Sequence, residues 1–305
     1  MPPRAAPNVS RGQRGVPILS CVTGASERSA AFFDLDKTII ATSSTLAFTR
    51  PFYAGGLLTR RAMLRTAYAH FFYQSSGADH EQMERMRQYL SRLSEGWDVQ
   101  QVREIVAETL TDLITPQVYE EATALIAEHQ RAGRDVIIVS ASGSDVVEPI
   151  GAMLGANGVI ATRMRIDDNG HYAGEIEFYA YGDNKASAIR DLADLNGYDL
   201  AASYAYSDSA TDLPMLEVVG HPVAVNPDRA LRKEALSRGW EILDFTRPVN
   251  LRSRYARGLR VPAQAKPAEF AHRIPGPAVA VAIGAASAAT AATAGIVWLT
   301  RRRST

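Results

Sequence analysis

The chain has 305 residues, 46% of them hydrophobic, and its 33 basic side chains balance 33 acidic ones. That length buries a sizeable core in one large domain or two smaller ones, and the absence of a basic excess gives no reason to expect a nucleic-acid partner. One cysteine, Cys21, leaves no internal disulfide to form, which fits a reducing compartment.

Residues 1–29, rich in Pro, Arg, Gly and Ser, read as a disordered leader. Their apolar patch, Val16 to Val22, is broken by Pro17 and Ser20 and makes a poor secretory signal. Ala31 to Phe33 then predict a short buried strand that ends in Asp34 and Asp36. Open α/β sheets place their ligands at such strand ends. Two carboxylates this close raise each other's pKa unless a cation lies between them. The pair therefore calls for a metal ion, a shared proton or plain solvent.

A long segment of helical periodicity follows. Ser43 and Ser44 are placed to cap its start, and apolar residues recur at three-to-four-residue spacing through Leu57, Leu58, Met63, Leu64, Tyr68, Phe71 and Phe72. The pattern resumes at Met83, Met86, Tyr89, Leu90 and Leu93, and again from Val102 to Ile114, with Trp97 and Asp98 at a boundary between helices. The aromatic stripe Tyr68, Phe71, Phe72 and Tyr73 reads as core rather than pocket lining. His70 and His80 lack partners at metal-binding spacing.

From Thr123 the pattern alternates between helix and strand. Ala122 to Arg131 reads as a helix stopped at Gly133, and Asp135 to Ser140 as a second buried strand. Ser142 and Gly143 then open a helix through Leu154, so that Ser140-Ala141-Ser142-Gly143 forms an anion cradle of free N–H groups at a helix N-terminus. Val159 to Tyr179 reads as a strand and hairpin turning at Asp168-Asn169-Gly170. Asp183 or Asn184 is expected to cap the next helix, which carries Lys185 in its first turn. A cation there opposes the helix dipole, so Lys185 reads as serving a group outside the helix. Ser203 to Tyr206 predicts a strand delivering Asp208 and Asp212, followed by helix, strand, helix and a last strand at Glu241 to Leu243. Repeated strand–helix units imply a parallel sheet with right-handed crossovers.

Four segment ends now carry Asp34 with Asp36, Ser140, Lys185, and Asp208 with Asp212. In order and interval they resemble the motifs of the haloacid dehalogenase superfamily, in the branch that contains phosphoserine phosphatase. The resemblance spans residues 30–245 and rests on Asp34-Leu35-Asp36-Lys37-Thr38, the strand Val136 to Ser140, Lys185, and the acidic pair Asp208 and Asp212. It implies an α/β fold, a Rossmann-like doubly wound parallel sheet with a helical cap inserted at about 45–128. It also implies phosphomonoester hydrolysis through an aspartyl-phosphate. Asp34 would be the nucleophile and Asp36 the general acid and base. Mg²⁺ would be held by Asp34, the backbone carbonyl of Asp36 and Asp208, with Asp212 in support behind them. Ser140, Ala141, Lys185 and Thr38 would line the phosphate-binding site, Thr38 also tying down the loop through its hydroxyl. The partner implied is a small-molecule phosphate ester.

Two positions depart from the family pattern. Ser207 and Ser209 flank Asp208 where glycines are usual, and Ser43 stands where phosphoserine phosphatases carry the Glu that holds the substrate ammonium. No acidic residue lies between Lys37 and Asp79. The family's chemistry thus carries over, and its serine specificity does not. The alternatives are a phosphatase of a membrane-derived head-group or lipid phosphate, and a non-catalytic binding module of the same fold; the second predicts loss of Asp34, Asp36, Lys185 or Asp208, none of which is lost.

Residues 246–277, rich in Pro and Arg, read as a linker. The uncharged span 278–300 is long enough to cross a bilayer and predicts a membrane-anchoring helix, with Trp298 as an interface residue and a basic tail at 301–305. The catalytic domain is then expected on the cytoplasmic side. Nothing in the sequence sets an oligomeric state.

Overall fold

The computed structural model describes residues 28–63, 88–89 and 91–247. The chain separates into two units, Met1–Phe270 and Ala271–Thr305, and everything described lies in the first. The leader up to residue 27, Cys21, the stripe Tyr68 to Tyr73, His70, His80, Met83, Met86, the linker beyond Arg247, the span 278–300 and the tail 301–305 lie outside the described residues. No described helix is long and apolar enough to cross a membrane.

Strand β1 (Ala30–Asp34) sits in the middle of a seven-stranded sheet of order β4-β3-β2-β1-β5-β6-β7. It pairs in parallel with β2 (Asp135–Gly143) on one side and β5 (Tyr204–Ser207) on the other. Side chains alternate across a strand, and both faces of β1 are covered: Ala31 and Phe33 join one apolar cluster, Ala30 and Phe32 the other. This two-sided burial explains why β1 reads as a continuous apolar run rather than an alternating one. The sheet continues in parallel through β3 (Gly158–Ile166), β6 (His221–Val225) and β7 (Glu241–Leu243). Strand β4 (Tyr172–Phe178) returns antiparallel to β3 as the expected hairpin, its turn held by Asp167 Oδ1, which accepts from Asn169 N and His171 N at 2.9 Å.

Between β1 and the next strand run α1 (Ser44–Ala47), α2 (Thr49–Ala54), α3 (Val99–Ile114) and α4 (Glu120–Arg131). Asp98 caps α3 by accepting from Gln101 N at 2.8 Å, as its place at a helix boundary predicts. Ala122 and Ile126 of α4 are buried in the same cluster as β1's Phe33, so α4 covers the sheet. The remaining helices are α5 (Ser144–Leu154), α6 (Asp183–Asn196), α7 (Leu213–Glu217) and α8 (Arg229–Arg238). The fold begins before Ala30: Arg28 pairs with Asp135 at 2.6 Å, and its carbonyl accepts from Asp199 N at 2.7 Å.

Candidate active site

Every strand that carries a candidate residue ends at the same edge of the sheet. Asp34 is the last residue of β1, and its register partner on β2 is Val139, so Ser140 lies one step beyond it. On the other side Phe33 pairs with Tyr206, which brings Ser207, the last residue of β5, level with Asp34 and places Asp208 just past the strand end. Lys185 reaches this point from α6. Its ammonium donates to Asp34 Oδ1 at 2.7 Å and to Asp212 Oδ2 at 2.9 Å, with 3% of the side chain exposed.

The helix that delivers Lys185 starts differently from expectation. Neither Asp183 nor Asn184 caps it; the cap position is Gly182, with φ 54° and ψ −127°. A side chain there would be strained, so the glycine sets the angle at which α6 leaves the sheet edge. Asn184 is instead turned back, donating from Nδ2 to the Tyr179 carbonyl at 2.9 Å. The cost of a cation in the first turn is offset by the two carboxylates that Lys185 meets.

The site is short of positive charge. Burial lowers the Lys185 pKa, but Asp212 and Asp34 raise it by more, and the net shift is upward, so the lysine stays charged. Burial raises the Asp34 carboxyl well above its usual range; Lys185 works against that shift, whereas Asp212 and Asp208 add to it. Asp208 is pushed up to about 7 by burial, with Lys37 opposing and Asp212 adding. One buried ammonium thus faces Asp34, Asp212 and Asp208 together. Asp212 is secured from behind by Ser207, whose hydroxyl donates to Oδ2 at 2.7 Å.

Asp36 has partners of its own. Ser44 N donates to its Oδ1 at 2.9 Å and the Ser43 hydroxyl to its Oδ2 at 3.2 Å. Burial raises its pKa, and the bonds from Ser44 and Ser43 only partly counter that. Ser43 occupies the cap position of α1, but its side chain makes no capping bond, because it is committed to Asp36. Between the two halves of the motif, Lys37 adopts a left-handed φ of 64°, a conformation a non-glycine residue takes only where its surroundings enforce it.

Thr38 corrects an expectation. Its hydroxyl does not tie down the loop: Oγ1 is buried and has no hydrogen-bond partner among the described residues. The turn is closed by backbone instead, with Ile39 N and Ile40 N both donating to the Leu35 carbonyl, at 3.0 and 3.1 Å. A buried hydroxyl without a partner is costly.

The cradle after β2 is also built differently. The sequence pattern ends the strand at Ser140 and opens the helix at Ser142. In the structure β2 runs to Gly143, and α5 begins at Ser144. The pairing slips between Ser140 and Gly143, which face the consecutive residues Ala161 and Thr162 of β3. Ala141 and Ser142 therefore form a bulge, a device that re-aims a strand end. Thr162 fixes the bulge by donating to the Ala141 carbonyl at 2.7 Å. Ser140 is buried, and its oxygen accepts from Ser142 N at 3.2 Å, which leaves the hydroxyl hydrogen to donate elsewhere.

These groups suit an oxygen-preferring divalent cation. Two carboxylates raised by burial and by neighbouring carboxylates, Asp212 acting on both, are the environment a cation would relieve. Among the described residues no three His, Cys, Asp or Glu side chains converge as a metal cage. The carboxylate of Asp36 is turned to Ser43 and Ser44, so of the proposed ligand set only Asp34 and Asp208 offer side-chain oxygens. The sequence reading missed Ser43, Ser44 and Ser142 beside Asp36, and Ser207 behind Asp212. The hydroxyl run Thr42-Ser43-Ser44-Thr45 was the signal for the first group.

Comparison with known proteins identifies the family of the fold. The model of the haloacid dehalogenase-like hydrolases matches residues 31–217. The chain is 63% identical over 276 residues to an "inhibition of morphological differentiation protein" of Streptomyces azureus, covering 90% of this chain and 94% of that one. It is 61% identical over 232 residues, 76% of this chain and 80% of the other, to a "probable phosphatase" of Mycobacterium tuberculosis. A phosphoserine phosphatase of the same species is 34% identical over 221 residues, 71% of each chain. Among solved structures, one titled as a phospho-aspartyl intermediate analogue of phosphoserine phosphatase shares the fold, with a TM-score of 0.53, 20% identity and coverage of 75% of this chain and 99% of that one. With its sheet, its ordered motifs and a family match over most of the described core, the chain belongs to the haloacid dehalogenase-like hydrolases.

Proposed function

We propose that this chain is a Mg²⁺-dependent phosphomonoesterase that passes the phosphoryl group through an aspartyl-phosphate on Asp34. The observation that carries this reading is the division between the two carboxylates of the motif. Asp34 is held at the strand end by Lys185 at 2.7 Å, whereas Asp36, two residues further on, is held by Ser43 and Ser44. Pairs of carboxyls whose surroundings separate their roles are the usual mark of a nucleophile and an acid.

In the first step an oxygen of Asp34 attacks phosphorus and the bond from phosphorus to the ester oxygen breaks. Asp36, whose raised pKa keeps a proton available, donates it to the departing alkoxide. Lys185, the Ser140 hydroxyl, the Ala141 N–H and the unpartnered Thr38 hydroxyl are the groups available to the non-bridging oxygens. In the second step Asp36, now a carboxylate, takes a proton from the water that cleaves the acyl phosphate, returning both side chains to their starting states. Mg²⁺, which Asp34, Asp208 and the Asp36 carbonyl would hold, supplies charge neutralisation between the carboxylate nucleophile and the phosphate dianion.

The substrate class is a small organophosphate, phosphoserine among the candidates. The relative named as a phosphoserine phosphatase supports that choice. Ser43, in place of the family's ammonium-binding Glu, argues against strict selection for an amino acid. A panel of phosphate esters, covering phosphoserine, a glycerophosphate head-group and an aryl phosphate, tests both levels. Turnover that requires Mg²⁺ and stops with a chelator is expected; no turnover of any ester would leave a binding module instead. Phosphoserine turned over no faster than the aryl ester would remove serine from the candidates, and preference for the head-group would favour the membrane-derived reading.

A further inference from the structure

A cluster of hydroxyls lies against the carboxylate of Asp36. The strongest bond to the carboxylate is from Ser44 N to Oδ1 at 2.9 Å; the Ser43 hydroxyl reaches Oδ2 at 3.2 Å and the Ser142 hydroxyl the same oxygen at 3.5 Å. The last two are long for hydroxyl donors, as catalytic hydrogen bonds often are before substrate tightens them. Ser142 is itself held, accepting from the Ser44 hydroxyl at 2.8 Å and lying 3.2 Å from Thr45 Oγ1. Ser43, Ser44 and Ser142 are all buried, so water competes little for these bonds.

The two oxygens of Asp36 are held by chemically different partners. A backbone N–H can only donate, so Oδ1 stays the acceptor oxygen and a proton on Asp36 belongs on Oδ2. A hydroxyl can donate or accept. Ser43 therefore remains a partner for Oδ2 whether that oxygen carries the proton or has given it up. A Glu at this position would set a second carboxylate against Asp36 and serve neither state. Ser43 is turned inward, and the contact it makes is with Asp36.

Resting on the phosphatase reading above, we infer that Ser43 is a positioning residue for Asp36, holding Oδ2 in the orientation that delivers its proton to the leaving group. Ser142 supports it through its own contact with the same oxygen.

The test uses the dependence on leaving group, read as kcat/KM in the full chain with Mg²⁺. This quantity reports events up to departure of the alcohol, so later hydrolysis of the acyl phosphate does not mask it. An alkyl ester such as phosphoserine needs its alkoxide protonated, whereas p-nitrophenyl phosphate releases a phenolate that is stable without a proton. Ser43→Ala is expected to lower kcat/KM about tenfold for the alkyl ester and by less than about twofold for the aryl ester, a fraction of what general acid catalysis supplies. Ser43→Thr, which keeps the hydroxyl, restores the alkyl value. Ser142→Ala gives the same selective loss, to a smaller degree, and guards against a folding defect in the first variant. Equal losses on both esters, or no rescue by threonine in a chain with unchanged Tm, would overturn the role of Ser43. Wild-type chain inert on both esters would instead overturn the phosphatase reading on which the inference rests.

Discussion

At the residue scale the site is a problem of unbalanced charge. Lys185 is shared between Asp34 and Asp212, and Asp208 adds a further carboxylate that burial and Asp212 push up to about 7. A metal ligand must be deprotonated, so protons compete with the cation below that value. The sign follows. Asp208 in the folded chain binds a proton more tightly than in the unfolded chain, so without a cation it favours the fold at low pH, and that contribution fades as pH rises towards 7. Mg²⁺ bound there as proposed would favour the deprotonated form, so its stabilisation would run the other way. The gain in Tm on adding Mg²⁺ is expected to be larger at pH 8 than at pH 5.5, with apparent affinity falling about tenfold per unit below 7. Thermal melts at both pH values, with and without the ion, check this; a gain independent of pH would contradict it.

At the element scale, the working parts are the ends of elements rather than their middles. Gly182 determines where α6 starts, and so where the Lys185 ammonium lies. Gly182→Ala would strain the backbone at φ 54° by about 1–2 kcal/mol. Because the strain acts at the base of Lys185, kcat should fall together with Tm. Steady-state kinetics and melting of the variant measure both, and a lower Tm with unchanged kcat would show that Gly182 serves stability alone. This position also marks the limit of what the sequence makes legible. Apolar periodicity places β1, α4 and the final strands to within a few residues, because burial on known faces dictates it. Asp98 reads as a boundary because its side chain caps its own helix. The bulge at Ala141 and Ser142 has no such local cause; it is set by Thr162 on the neighbouring strand. Likewise the hydroxyl of Ser44 meets Ser142, 98 residues away, a pairing that exists only once the sheet is assembled. The loop-tying role of Thr38 is implied by the family resemblance, yet here the backbone bonds to Leu35 close the turn without its hydroxyl.

At the scale of the whole molecule, a sheet covered on both faces brings groups distant in sequence to one edge. Asp34 and Lys185 are 151 residues apart in the chain and 2.7 Å apart in space. The parallel register of β2, β1 and β5 makes this possible, since their carboxyl ends align. The same alignment lets the family's four motifs be recognised in order along the chain. It also means that the central assignment stands or falls on one atom, a carboxylate oxygen of Asp34. The direct measurement is to incubate the full chain with a ³²P-labelled phosphomonoester and Mg²⁺, quench in acid, and locate the label by peptide mapping. The account predicts acid-stable label on the peptide containing Asp34. In Asp34→Asn it predicts no label and turnover lower by about 10³-fold or more. Label on a different residue, or an Asp34→Asn variant that turns over near the wild-type rate, would contradict it.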